Sequence, residues 1–171
     1  MEQIISRQFA ISEGNAEPLP LPDYDTYAIC NLRGGIGKSS LCFNLSYLTD
    51  NVLMVDTCPQ GNLSYFYDNQ YFSRNTSTVY DLILPHIMPG LGTAARVAQS
   101  ISATNEHFKD KNSFFIPSSE MMYLLPNQVA VALSQAQSIP QADVRTKMQD
   151  AILYSLKSEI LREKAETDCS R

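Results

Sequence analysis

Glycine, lysine and serine are concentrated in one short segment whose residue types suit phosphate binding. Three of the seven glycines fall within residues 34–37, and residues 38–40 read Lys-Ser-Ser. Glycines let the backbone approach a ligand closely, and successive N–H groups at a helix start can cradle phosphate oxygens. A lysine ammonium neutralises those oxygens, and a serine hydroxyl is a ligand for Mg²⁺. The segment therefore predicts a phosphate-binding loop, against the alternative of a glycine-rich turn that binds nothing.

A second chemical group stands at the end of an apolar run. Residues 52–55 are Val-Leu-Met-Val, and Asp56 follows them directly. A continuous apolar run is typical of a strand buried on both faces in a parallel sheet, and the carboxylate then lies at its carboxyl end. Ligands of open α/β sheets bind at that edge, so we expect Asp56 to share it with the glycine loop.

The elements that must position these groups follow from the hydrophobic pattern. Tyr27–Cys30 is a short β-compatible run that enters the glycine loop, and leucines recur at helical spacing after the loop. A strand, a glycine loop and a helix in this order are the context that a phosphate-binding loop requires. We predict parallel strands over 27–31, 52–56 and 113–116.

Further helices are predicted downstream. Residues 93–103 have Thr93 as an N-cap and apolar residues on one face, which predicts a surface helix. Residues 144–165 carry apolar side chains at i+4 spacing and predict one helix. Pro126 interrupts the apolar stretch around 121–133, which favours two short helices over one.

The two motifs together resemble those of a known ATPase family. The segment 33–40, Arg-Gly-Gly-Ile-Gly-Lys-Ser-Ser, departs from the general pattern G-x-x-x-x-G-K-[ST] at Leu32 and resembles the deviant Walker A motif K-G-G-x-G-K-[ST]. With Val-Asp-Thr-Cys-Pro-Gln-Gly-Asn over 55–62, it resembles the ParA/Soj/MinD group. The P-Q-G-N tail is closer to the ParA/Soj partition branch than to the MinD branch. Weaker similarities at 77–84 and 114–119 extend the resemblance over residues 26–165.

The resemblance implies a fold, a ligand and a mode of action. The family has an α/β fold in which helices flank a parallel P-loop sheet, and it binds ATP with Mg²⁺ as an ATP-sandwich homodimer. Its ParA/Soj branch partitions plasmids and chromosomes, which implies a partition adaptor protein as a partner. By this resemblance the nucleotide-binding residues are Arg33, Gly34, Gly35, Ile36, Gly37, Lys38, Ser39 and Ser40. The resemblance also assigns magnesium to Ser39 and, through water, to Asp56.

Two positions depart from the family pattern and bear on catalysis. Arg33 replaces the signature lysine that reaches across the dimer, and its planar fork does not fill the space of an ammonium group. Cys58 replaces the second acid of D-x-D-P-Q, which is tied to activation of the attacking water. A thiol does not offer the same acceptor geometry. We therefore assign no catalytic residue and expect ATP binding with doubtful hydrolysis.

Three functions are compatible with these motifs. The first is a ParA-like partition ATPase that works as a nucleotide-gated dimer. The second is a non-hydrolysing ATP-binding module, a pseudo-ATPase, and Arg33 and Cys58 favour it. The third is a small-molecule kinase of a neighbouring phosphate-loop class, and the P-Q-G-N tail argues against it.

The chain divides by composition into a tail and a domain. Residues 1–25 form an acidic, proline-containing tail, and residues 26–171 form a partial ParA-like nucleotide-binding domain. In the family a Walker B strand follows the helix predicted at 144–165. We therefore expect a domain truncated before that strand, or a truncated gene product that needs a partner chain.

Net charge and hydropathy limit the partners and the cellular compartment that the sequence predicts. The net charge is −5, so the chain lacks the basic balance that would support DNA binding. No apolar run approaches the roughly 20 residues that span a bilayer, and the N-terminus does not resemble a secretory signal. The four cysteines form no C-x-x-C pair. We expect a cytoplasmic protein with free thiols and no membrane partner.

Overall fold

The structure is a computed structural model that describes residues 26–30, 33–74, 76–88, 90–92, 94 and 96–167. Its internal contacts divide the chain into two units, Met1–Cys30 and Asn31–Arg171. The tail predicted over 1–25 lies outside the described residues. In chain order the elements are α1 (Lys38–Leu48), β1 (Leu53–Val55), α2 (Asn62–Tyr67), α3 (Val79–Ile87), β2 (Gln99–Ser100), β3 (Phe114–Ile116), α4 (Leu125–Gln137), α5 (Ala142–Leu153) and α6 (Ser155–Thr167).

The sheet of the second unit has three strands in the order β1-β3-β2. β1 and β3 are parallel, as predicted, and Leu53 is in register with Phe114. β2 is antiparallel to β3, so the sheet is mixed and the all-parallel expectation is wrong. The reason lies between these two strands, where two 3₁₀ turns at Ile101–Ala103 and Glu106–Phe108 reverse the chain without a crossover helix.

Helices cover both faces of this sheet, which makes the second unit a small α/β domain. Successive strand residues point to opposite faces. Met54 and Phe115 accordingly join a hydrophobic cluster with α1 and α2. Val55 and Ile116 join a larger cluster formed by α3 to α6.

The prediction of a strand over 27–31 is wrong, because none of its described residues belongs to a strand. Residues 26–30 form neither helix nor strand. A run of four apolar residues becomes a strand only when a neighbouring strand pairs with it, and composition alone does not reveal that pairing.

The helix predicted over 93–103 is also wrong. Thr93, its proposed N-cap, lies outside the described residues, and the described part ends in β2 and a 3₁₀ turn. The backbone N–H groups of Val97 and Ala98 donate to a carboxylate oxygen of Glu163, at 3.0 and 2.8 Å. Because this buried carboxylate takes both donors, it favours a non-helical backbone over an intrahelical ladder.

The C-terminal helical prediction needs a smaller correction. The single helix predicted over 144–165 is interrupted at Tyr154, which separates α5 from α6. The Ser155 hydroxyl donates to the Ile152 carbonyl at 2.9 Å and thereby satisfies one acceptor at the end of α5. Around Pro126 a 3₁₀ turn precedes α4, and the proline occupies the first turn of that helix, where a missing N–H costs little.

Candidate functional site

The glycine loop leads directly into the N-terminus of α1. Residues 33–37 are exposed, and Gly35 and Gly37 have φ angles of +71° and +84°. An L-residue with a Cβ is strained in this left-handed region, so these two positions favour glycine. Among the described residues no side chain caps α1, and its first turn contains no acidic residue. The N–H groups of that turn and the positive end of the helix dipole are features that favour an anion.

Lys38 lies across this loop. Its Nζ donates a hydrogen bond to the backbone carbonyl of Arg33 at 2.8 Å. An ammonium group has three donors, so two remain for phosphate oxygens while the loop keeps its shape. The neighbouring Ser39 is half-buried and Ser40 is exposed. The structure thus places the predicted residues 33–40 in one continuous loop and helix start.

Asp56 lies buried just beyond the end of β1, with 5% of its surface exposed. One carboxylate oxygen accepts a hydrogen bond from the Cys58 N–H at 3.0 Å. The other accepts from the Ser64 N–H at 2.9 Å and from the Ser64 hydroxyl at 2.8 Å. A carboxylate has about four acceptor positions, so these three bonds leave room for about one more. Such a carboxylate suits a water-mediated contact with a cation better than direct coordination.

Cys58 is held by its backbone and exposes its side chain. Its N–H donates to Asp56, and its carbonyl accepts from the Ser118 hydroxyl at 2.6 Å. The thiol itself is free and exposed. The loop is therefore fixed at the position where the family pattern has its second acid, while a thiol stands in place of the carboxylate.

Aromatic packing brings α1 against α2. The Phe43 ring stacks on the Tyr67 ring with centroids 5.7 Å apart. The Tyr67 hydroxyl donates to Ser46 Oγ at 2.6 Å, and burial raises the pKa of Tyr67. Burial, and next the negative charge of Asp56, raise the pKa of the Cys42 thiol on α1. The helix that follows the glycine loop therefore packs against α2, whose Ser64 hydrogen-bonds to Asp56.

Two serines lie beside Asp56 and its loop, and neither was predicted from the sequence. Ser64 and Ser118 are fully buried, with 0% and 1% of their surface exposed. Serine is common in loops and helix starts, so nothing in the sequence distinguishes these two from the exposed serines of the chain. Their role depends on which residues the fold brings beside Asp56.

The donor chemistry fits magnesium that arrives with a nucleotide. Within the part of the chain that the structure describes, no group of three His, Cys, Asp or Glu side chains could hold a metal ion. Mg²⁺ commonly binds through phosphate oxygens, water and one or two protein oxygens. Ser39 and Asp56 offer oxygens of this kind. Among the described helices, none has the length and apolarity needed to cross a bilayer.

A mixed sheet between helical layers, with a glycine loop at a helix N-terminus, is consistent with the P-loop class of nucleotide-binding domains. The family model of the CobQ/CobB/MinD/ParA nucleotide-binding domain (CbiA) matches residues 27–160, and the chain belongs to this family. Comparisons with curated proteins and with solved structures gave no significant match.

Proposed function

We propose that this chain binds ATP with Mg²⁺ through residues 33–40. The observation that carries the proposal is the α1 N-terminus, which no side chain of the described residues caps and which follows two glycines with positive φ. Backbone N–H groups, the helix dipole and the Lys38 ammonium all favour a polyphosphate there. Membership of a nucleotide-binding family gives independent support.

Magnesium is assigned to Ser39 and Asp56 in this proposal. Ser39 is the second residue of α1 and offers its hydroxyl oxygen as a ligand. Asp56 has about one acceptor position left after its three protein hydrogen bonds, so it acts through a bound water. The cation supplies charge neutralisation between the phosphate groups.

The biological role we propose is that of a ParA/Soj-type partition protein that acts as a nucleotide-gated homodimer with an adaptor partner. The P-Q-G-N segment that follows Cys58 supports this branch. Arg33 retains a positive charge at the position from which the family reaches the partner's nucleotide. The domain is assigned to residues 26–171.

A second candidate function is a non-hydrolysing ATP-binding module. The exposed Cys58 thiol favours it, because a thiol in this fixed loop cannot position the attacking water as a carboxylate does. Loss of a group that activates water costs roughly 10²- to 10⁴-fold in rate. In this second function the ATP-bound state recruits a partner, and ATP turnover is not needed.

Calorimetry with Mg-ATP tests the site. Lys38→Ala removes the ammonium group, and we expect about a 10-fold to 100-fold loss of affinity because hydrogen bonds to charged groups contribute about 1.5–3 kcal/mol. Lys157→Ala is the matched control, since Lys157 is an exposed lysine on α6. Equal affinities for wild type and Lys38→Ala would refute the assignment of residues 33–40.

Phosphate release separates the two candidate functions. The purified chain and Lys38→Ala are compared at saturating Mg-ATP, with Cys58→Asp as a third sample. The non-hydrolysing module predicts equal background rates for the wild type and Lys38→Ala. A wild-type rate well above that of Lys38→Ala would favour the partition ATPase.

A further inference from the structure

Four residues around the end of β1 form a closed ring of hydrogen bonds. Asp56 accepts from the Cys58 N–H on one oxygen and from Ser64 on the other. Ser64 Oγ in turn accepts from the Ser118 N–H at 3.0 Å. The Ser118 hydroxyl then donates to the Cys58 carbonyl at 2.6 Å, which closes the ring.

The ring joins segments that are distant in the sequence. Ser118 follows β3 and lies 54 residues from Ser64 and 60 residues from Cys58. Ser64 belongs to α2, and Asp56 directly follows β1. Because the three side chains are buried, water does not readily replace a lost partner, and each missing bond leaves an unpaired polar group.

Ser64 has a special place in this ring because it is the only member that gives two hydrogen bonds to one carboxylate oxygen. Its N–H and its hydroxyl both donate to the same Asp56 oxygen, at 2.9 and 2.8 Å. Two donors on one oxygen restrict the direction in which the carboxylate points. Removal of the hydroxyl leaves the Cys58 and Ser64 N–H bonds in place but takes away one of the two donors on that oxygen, so the carboxylate is oriented less tightly.

We propose that Ser64 is a positioning residue for magnesium: it orients the Asp56 carboxylate toward the water of a nucleotide-bound Mg²⁺ and thereby sets the magnesium dependence of nucleotide affinity. This inference rests on the proposed function. Partners that hydrogen-bond to a ligating group are commonly worth 10-fold to 100-fold in metal affinity. Ser118 supports the loop on the side of the ring away from the carboxylate.

A purely structural role for Ser64 makes a different prediction. Loss of a buried hydrogen bond would weaken the fold, and it would weaken binding of ATP with and without magnesium by the same factor. The informative quantity is therefore the ratio of the dissociation constant of ATP in EDTA to that in Mg²⁺. A positioning role lowers this ratio.

The test measures that ratio by calorimetry on the full chain. For Ser64→Ala we expect the ratio to fall about 10-fold. Ser155→Ala is the matched control, because Ser155 is also a buried serine with a hydroxyl bond but lies on α6. We expect its ratio to equal that of wild type. An unchanged ratio for Ser64→Ala would overturn the inference, whether or not both affinities fall together.

Two further measurements keep the test decisive if Ser64→Ala does not fold. Ser64→Cys is nearly isosteric and replaces the hydroxyl with a weak donor, so its ratio should also fall. In the wild-type chain, the amide signals of Cys58 and Ser64 should shift in NMR spectra when Mg²⁺ is added to the ATP complex. Amide signals that do not respond to Mg²⁺ would overturn the inference without any variant.

Failure of the proposed function and failure of the Ser64 inference give different binding results. If wild type does not bind ATP, or if Lys38→Ala binds it equally well, the proposed function fails and the inference fails with it. If wild type binds ATP with a clear magnesium dependence that Ser64→Ala retains, only the inference fails.

Discussion

Replacement of Gly61 by alanine tests the packing that holds the loop after Asp56. Gly61 precedes α2 with φ +63°, in the left-handed region. A Cβ built on Gly61 would lie 1.6 Å from the Tyr71 hydroxyl oxygen and 2.9 Å from the ring carbon that bears it. Tyr71 is buried, with 3% of its surface exposed, so it has little room to move.

Two costs add in Gly61→Ala. The left-handed conformation costs an L-residue about 1–2 kcal/mol. Displacement of a buried aromatic ring costs about 1–3 kcal/mol, as other overpacked cores show. The free energy of unfolding should therefore fall by about 2–5 kcal/mol, a large share of the ~5–15 kcal/mol that is typical of a domain.

Urea denaturation with two further variants separates these costs. Gly90 also has positive φ, at +102°, and its Cβ would meet no atom of the described residues within 4 Å. Gly90→Ala should therefore show the conformational cost alone, ~1–2 kcal/mol. Tyr71→Phe removes the oxygen 1.6 Å from the Cβ position, so it should cost less in the Gly61→Ala background than in wild type. A Gly61→Ala loss no larger than that of Gly90→Ala would refute the packing argument.

Two other predictions concern buried or reactive side chains. Glu163→Ala leaves the two N–H groups of residues 97–98 without their carboxylate, so the free energy of unfolding should fall by about 2–6 kcal/mol in urea denaturation. The exposed control Glu166→Ala should stay within ~0.5 kcal/mol, and equal losses would contradict the argument. Iodoacetamide should modify the exposed Cys58 before Cys42, because Cys42 is half-buried and its pKa is raised by burial and then by Asp56. Peptide mass spectrometry measures the order, and faster modification of Cys42 would be the contrary result.

The central pair of strands could be predicted from the sequence. The predicted strands 52–56 and 113–116 contain the apolar runs 52–55 and 114–116, and β1 and β3 form a parallel pair within them. The run at 27–31 has a similar composition, yet its described residues are not a strand. Hydrophobic pattern identifies segments that are able to form strands, but hydrogen-bonding partners decide which of them do so.

The structure and role of residues that hydrogen-bond to a carboxylate far away in the sequence could not be predicted. Helical spacing over 93–103 was misleading because Glu163, 66 residues beyond Val97, takes the N–H groups that a helix would use. In the site, Lys38 and its glycines follow a recognisable spacing, whereas Ser64 and Ser118 become important only through contact with Asp56. Spacing along the sequence reveals a motif of neighbouring residues, but it does not reveal contacts between residues that are far apart in the chain.

The ring of hydrogen bonds around Asp56 joins residues far apart in the sequence, and this has a consequence during synthesis on the ribosome. The start of α1 closes through local bonds such as that from the Leu41 N–H to the Gly37 carbonyl, and helices form within microseconds. The ring needs Ser118, 60 residues after Cys58, which at roughly 5–20 residues per second takes several seconds to translate. Throughout this interval Phe43 is present in the nascent chain, but Phe115, which belongs to the same hydrophobic cluster, has not yet been synthesised. The glycine loop and the start of α1 can thus form before the hydrogen bonds around Asp56, which are complete only after β3 has emerged.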